Sequence, residues 1–163
     1  MKLKLKGNSG SSLMEMLCVV GISLLIGAAL IVGLDFATGF YKKTVSDSEA
    51  RILSSTLTTA VTDELRYIGS YETDPAGGLT GFFSQSFGRL TGGIGSKDGR
   101  IVLGSGSDEH ELLSPAAYTG GITADIDVVF DETAGVFKVK LSVINGENAI
   151  DSEFEVKPLN PPG

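Results

Sequence analysis

Few side chains in this chain of 163 residues are of a type and spacing that do chemistry. The one histidine, His110, lies in Ser107-Asp108-Glu109-His110-Glu111. An imidazole among acids can ligate a metal, but a closed site needs several convergent ligands, and this run predicts a solvated acidic loop. Asp127, Asp131 and Glu132 carry the oxygens calcium takes. They lack the dense Asp-x-Asp loop with a glycine that such a site uses, so no metal site is expected. A single cysteine, Cys18, excludes an intramolecular disulfide or dithiol. With no Ser/His/Asp arrangement and no phosphate loop, no catalytic residue, no cofactor and no enzymatic activity are expected. What remains is Glu15, a lone carboxylate five positions after Gly10, at the mouth of an apolar run from Met16 to Leu34 that holds no other charge. A carboxylate in such a helix costs roughly 2.5–3.5 kcal/mol if it reaches the bilayer centre, so something must compensate it.

The run from Met16 to Leu34 predicts a membrane-spanning helix. The preceding segment MKLKLKGNSG carries Lys2, Lys4 and Lys6 and no acid, which favours a cytoplasmic N-terminus. Lys42 and Lys43 flank the other end and weaken that asymmetry without reversing it. An ordinary secretory signal has an apolar core of about 7–15 residues; here the run is longer and Glu15 interrupts it. A lipoprotein signal needs small residues before the cysteine, where this chain has Glu15-Met16-Leu17. A plain signal anchor fits the length but leaves Glu15 without a role.

The run Gly10-Ser11-Ser12-Leu13-Met14-Glu15-Met16-Leu17 resembles the processing site of type IV prepilins and pseudopilins, the class III signal peptide. In that family a short basic leader ends in glycine, and cleavage leaves a mature chain whose fifth residue is glutamate. The resemblance implies that Gly10 ends the leader, Ser11 is the new N-terminus and Glu15 is the assembly glutamate. Cleavage at Gly7 would place Ser12 fifth, so the register is defined. The family usually has phenylalanine or another apolar residue where this chain has Ser11. Gly21, Gly27, Gly33 and Gly39 recur every six residues. Six residues advance a helix by about 240°, so these glycines fall on three sides. That suits a helix approached from several directions, whereas a single small-residue seam keeps its glycines on one side.

Beyond Lys43 the pattern becomes amphipathic. Val45, Ala50, Leu53, Leu57, Ala60, Val61, Leu65 and Ile68 share one arc, with Asp47, Glu49, Arg51, Asp63 and Arg66 largely outside it. A continuous helix from Ser12 to Ile68 would be about 85 Å long, with Gly69 as its stop. Residues 71–99, rich in glycine and serine, predict a mostly irregular loop whose Phe82, Phe83 and Phe87 dock on the domain. Ile101-Val102-Leu103 is a short candidate strand. Residues 124–130, 136–144 and 149–156 alternate apolar and polar around Asp131-Glu132-Thr133-Ala134-Gly135 and Asn145-Gly146, a three-stranded antiparallel meander. The tail from Pro158 to Gly163 is expected to fray. One apolar sheet face and one apolar helix stripe each need a cover, and packing residues 45–68 across the sheet supplies both.

The expected organisation is therefore a leader over 1–10, a transmembrane or filament-core half-helix over 11–40, an amphipathic half over 41–69 and a β-rich head over 70–163. The fold class is α+β, a long N-terminal helix packed on a C-terminal antiparallel sheet, as the resemblance also implies. Thirteen basic side chains face twenty acidic ones. Loss of Lys2, Lys4 and Lys6 with the leader leaves ten basic groups, a net charge of about −10, which excludes general binding to nucleic-acid phosphates. The resemblance implies a subunit of a type IV pilus-like or pseudopilus filament in a bacterial cytoplasmic membrane. Its partners would be copies of itself or other pilin-like subunits, a prepilin peptidase, membrane lipid and the platform of an assembly machine. The competing reading is an extracytoplasmic ligand-binding module on an uncleaved anchor, with Phe82–Phe87 or the glycine-rich loops as its recognition surface.

Overall fold

The computed structural model describes residues 9–104 and 109–159, with side chains from residue 13 onward. The leader residues 1–8 and the Ser107-Asp108 part of the acidic run lie outside the described residues, as does the side chain of Ser11. The chain divides into two compact units, residues 1–44 and residues 45–163. A long α-helix, α1, runs Ser9–Arg66. No proline interrupts it, and several of its threonines bond back to its own carbonyls. Thr56, Thr58 and Thr59 donate their hydroxyls to the carbonyls of Ile52, Ser54 and Ser55, at 2.8, 2.8 and 3.0 Å. The helix stops at Arg66, three residues before Gly69. There the Gly69 N–H donates to the Phe83 carbonyl at 3.2 Å, and the chain passes from helix to sheet.

In the second unit the three predicted strands are present as β7 (Thr123–Asp131), β8 (Val136–Asn145) and β9 (Asn148–Val156), antiparallel in the order β7-β8-β9. Phe137, Val139, Leu141 and Val143 are buried on one face, while Lys138 and Lys140 are exposed on the other. Ala124, Ile126 and Val128 of β7 point the same way inward. Across this face lie Ala50, Leu53, Leu57, Val61 and Leu65 of α1, together with Ile68, in one hydrophobic core. The α+β architecture expected from periodicity, a long helix on an antiparallel sheet, is what the chain forms.

The irregular loop expected over 71–99 is instead a set of short strands. β1 (Tyr71–Thr73), β2 (Leu79–Ser84) and β3 (Arg89–Gly92) make one antiparallel sheet. A second sheet joins β4 (Ile94–Lys97), β5 (Arg100–Leu103) and β6 (His110–Glu111). Backbone hydrogen bonds tie both to β7: Ala124 N–H donates to Gly99 at 2.8 Å, and Phe130 N–H to Gly77 at 2.7 Å. At both junctions only glycine fits. Gly99 has φ +73° and an added Cβ would stand 2.5 Å from Thr123 Cγ2; Gly77 has φ +86° and its Cβ would stand 2.6 Å from the Phe130 carbonyl oxygen. The fraying expected over the tail is corrected at its first two residues, because Pro158 is buried and the Leu159 N–H donates to the Arg66 carbonyl at 2.9 Å, while residues 160–163 lie outside the described residues.

Candidate functional site

Gly10 and Ser11 lie in the first turn of α1, and Glu15 follows one turn later with its side chain exposed. From Met16 to Leu34 the helix carries 19 residues without a charge, about 28 Å at 1.5 Å per residue and close to the ~30 Å hydrocarbon thickness of a bilayer. Leu17, Leu25 and Leu34 are 63%, 72% and 68% exposed, and they sit on different sides of the helix. A Cβ added at Gly21, Gly27, Gly33 or Gly39 would meet nothing within 4 Å. This part of the helix is long and apolar enough to cross a membrane. Asp35 closes the uncharged run, and Phe36, Phe40, Tyr41, Lys42 and Lys43 follow it. Aromatic and basic side chains in that order suit the boundary between hydrocarbon and water.

Elsewhere the groups singled out in the sequence have structural partners. His110 belongs to β6 and stacks on Phe87, with ring centroids 6.0 Å apart and planes inclined by 22°. The acids around it are not simply solvated: Glu109 pairs with Lys97, and Glu111 accepts from Arg100 at 2.6 Å. The Lys97 ammonium is held above its ordinary pKa by that bond to Glu109. Asp131 Oδ1 caps the β7–β8 turn by accepting from the Thr133 and Ala134 N–H groups, and Oδ2 accepts from Lys138 at 2.7 Å. The Lys138 hydrogen bond, followed by the Ala134 N–H, lowers the Asp131 pKa below the usual carboxylate range. On the outward face of the meander Asp127, Lys140 and Glu153 stand in register across the three strands, with Lys140 to Glu153 at 3.7 Å. Among the described residues no group of three His, Cys, Asp or Glu side chains converges as metal ligands do.

The recognition surface considered for a ligand-binding module is also partly removed. Phe82 is fully buried in the core and cannot meet a ligand. A hollow of about 740 Å³ opens between Tyr71, Phe130, the 132–135 turn and Pro158. Its aromatic wall is a cluster in which Tyr71 meets Phe130 and Phe137 edge-on at 5.0 and 5.1 Å. The Tyr71 hydroxyl is buried with no hydrogen-bond partner among the described residues, and its pKa is raised by desolvation and by the Glu132 charge.

Sequence reading missed one buried polar pair. Glu64 lies on the inward stripe of α1, 5% exposed, and accepts from the fully buried Ser84 hydroxyl at 2.8 Å. Ser84 in turn accepts from the Phe87 N–H at 3.2 Å. Nothing in the spacing points to its partner, which comes from a strand twenty residues away. Comparison of the chain with protein-family models, with curated proteins and with solved structures finds no match.

Proposed function

We propose that this chain is a structural subunit of a type IV pilus-like or pseudopilus filament. It enters the bacterial cytoplasmic membrane as a prepilin with its N-terminus inside, is cleaved after Gly10 by a prepilin peptidase, and polymerises through its N-terminal helix. The observation that carries this reading is Glu15, a lone exposed carboxylate five residues after Gly10, just before a run of helix from Met16 to Leu34 that carries no charge on any side. In the mature chain the free amine of Ser11 becomes a cation able to pair with Glu15 of a neighbouring copy. Removing one member of a desolvated ion pair costs about 3–5 kcal/mol, enough to define the axial register of a filament. The head, with its core between α1 and the meander, would project outside the membrane.

The test is co-expression with a prepilin peptidase followed by intact-mass measurement of the membrane-extracted protein. A chain beginning at Ser11 is expected, and a methyl group on its amine would read in the same spectrum. Retention of MKLKLKGNSG overturns the filament reading in favour of an uncleaved anchor.

A further inference from the structure

The end of the apolar run carries a second set of charges that Glu15 does not explain. Asp35 is exposed and follows Leu34 directly, with Phe36 next at 76% exposure. Its carboxylate therefore sits among apolar side chains. Helical neighbours able to pair with it would lie three or four residues away, where the chain has Ile31, Val32, Thr38 and Gly39. Lys42 has Thr38, Gly39, Val45 and Ser46 at the same spacings. Among the described residues, neither Asp35 nor Lys42 nor Lys43 forms an ion pair.

Seven residues separate Asp35 from Lys42, about 20° short of two full turns. Both thus lie on one stripe, about 10.5 Å apart along the axis and too far for a close pair within the helix. Lysine side chains on a helix lean toward its N-terminus. In a parallel neighbour staggered by about one turn, Lys42 would therefore reach back to the level of Asp35. Gly39, between them on the same side, leaves open space around its Cα for the approach. Twenty residues separate Glu15 from Asp35, a rotation of about 200°. The two carboxylates face opposite sides and address different neighbours.

We infer that a second copy of this chain seats on the Asp35 face of α1 within the membrane, with Asp35 of one copy accepting from Lys42 of the next and Lys43 flanking the contact. This rests on the membrane-inserted, self-associating reading above, but not on cleavage at Gly10. Insertion of every copy in the same direction makes the neighbours parallel, and the charges then select a staggered copy. An unstaggered one would oppose Asp35 to Asp35 and Lys42 to Lys42.

A membrane-permeable carbodiimide tests it, because it activates a carboxylate for attack by a lysine amine in contact with it, giving an amide as the reagent leaves as its urea. The full chain, mixed as isotopically light and heavy copies in native membranes, is treated and digested. Expected is a light–heavy peptide linking Asp35 to Lys42 or Lys43, with covalent dimers and higher multimers. That link is lost in Asp35→Asn and in the double variant Lys42→Gln, Lys43→Gln. Absence of the mixed link overturns the inference and leaves the two lysines to anionic lipid headgroups, as do multimers unchanged in Asp35→Asn. The mass of the N-terminus, read on the same sample, judges the filament reading separately. A cleaved chain without the link sinks only this contact, and a linked but uncleaved chain sinks only the filament.

Discussion

Single side chains here differ sharply in what holds them. Glu15 has water or lipid around it in one copy, and its proposed cation belongs to another. Glu15→Ala is therefore expected to leave insertion and cleavage unchanged while filament yield falls; wild-type yield, measured on sheared filaments, would remove Glu15 from assembly. Asp131 has its partners within one turn. Its pKa is lowered first by Lys138 and then by the Ala134 N–H, so the bond's contribution is present above the unfolded carboxylate pKa and is lost as pH falls through the folded value. Titration followed by NMR is expected to show Asp131 below ordinary aspartates, returning toward them in Lys138→Ala. Tyr71 is the reverse case, a buried hydroxyl with no partner among the described residues. An unsatisfied buried polar group costs about 1–3 kcal/mol. Tyr71→Phe is thus expected to raise the melting temperature of the head, and a clear fall would mean that the hydroxyl is bonded.

At the level of elements, the meander was legible because each strand has one wet and one dry face. Lys138 and Lys140 alternate with Phe137, Val139 and Leu141, and the pleat turns that alternation directly into burial. The strands over 71–99 were not legible for the opposite reason. β2 and β3 carry glycines at paired positions, Gly81 opposite Gly92, and β6 is two residues long. Such segments have little intrinsic preference for the extended state and become strands through their neighbours. The junctions between sheets then depend on backbone fit. Gly99 and Gly135 both adopt left-handed φ, +73° and +65°, but only at Gly99 does an added Cβ strike another residue. Gly135→Ala is expected to cost about 1–2 kcal/mol from conformation alone. Gly99→Ala should cost distinctly more in the same urea titration.

Over the whole chain, residues 45–163 form a unit with its own core, and Leu57 at its centre is 0% exposed. This fragment is expected to fold alone with a single cooperative transition by circular dichroism, since its core is complete without residues 1–44. Leu57→Ala in it should lose about 2–5 kcal/mol, as other large-to-small core changes do. A fragment that is unfolded or aggregated would show that the apolar half-helix contributes to the stability of the head.

Local chemistry determined a good deal without any structure. Spacing alone gives the uncharged run bounded by Glu15 and Asp35, the stripe from Ala50 to Leu65, the three alternating strands and their turns, and hence the helix-on-sheet class. Those features depend on periodicity, which a chain carries in one dimension. Only the tertiary structure decided that Glu64 is buried against Ser84, that His110 stacks on Phe87, that Phe82 belongs to the core, and that the glycine-rich segment is sheet. Each of these joins residues far apart in the chain, and no periodicity encodes who meets whom. Glu15 stands between the two cases: its position is legible in the sequence, and the cation proposed for it lies on another copy of the chain.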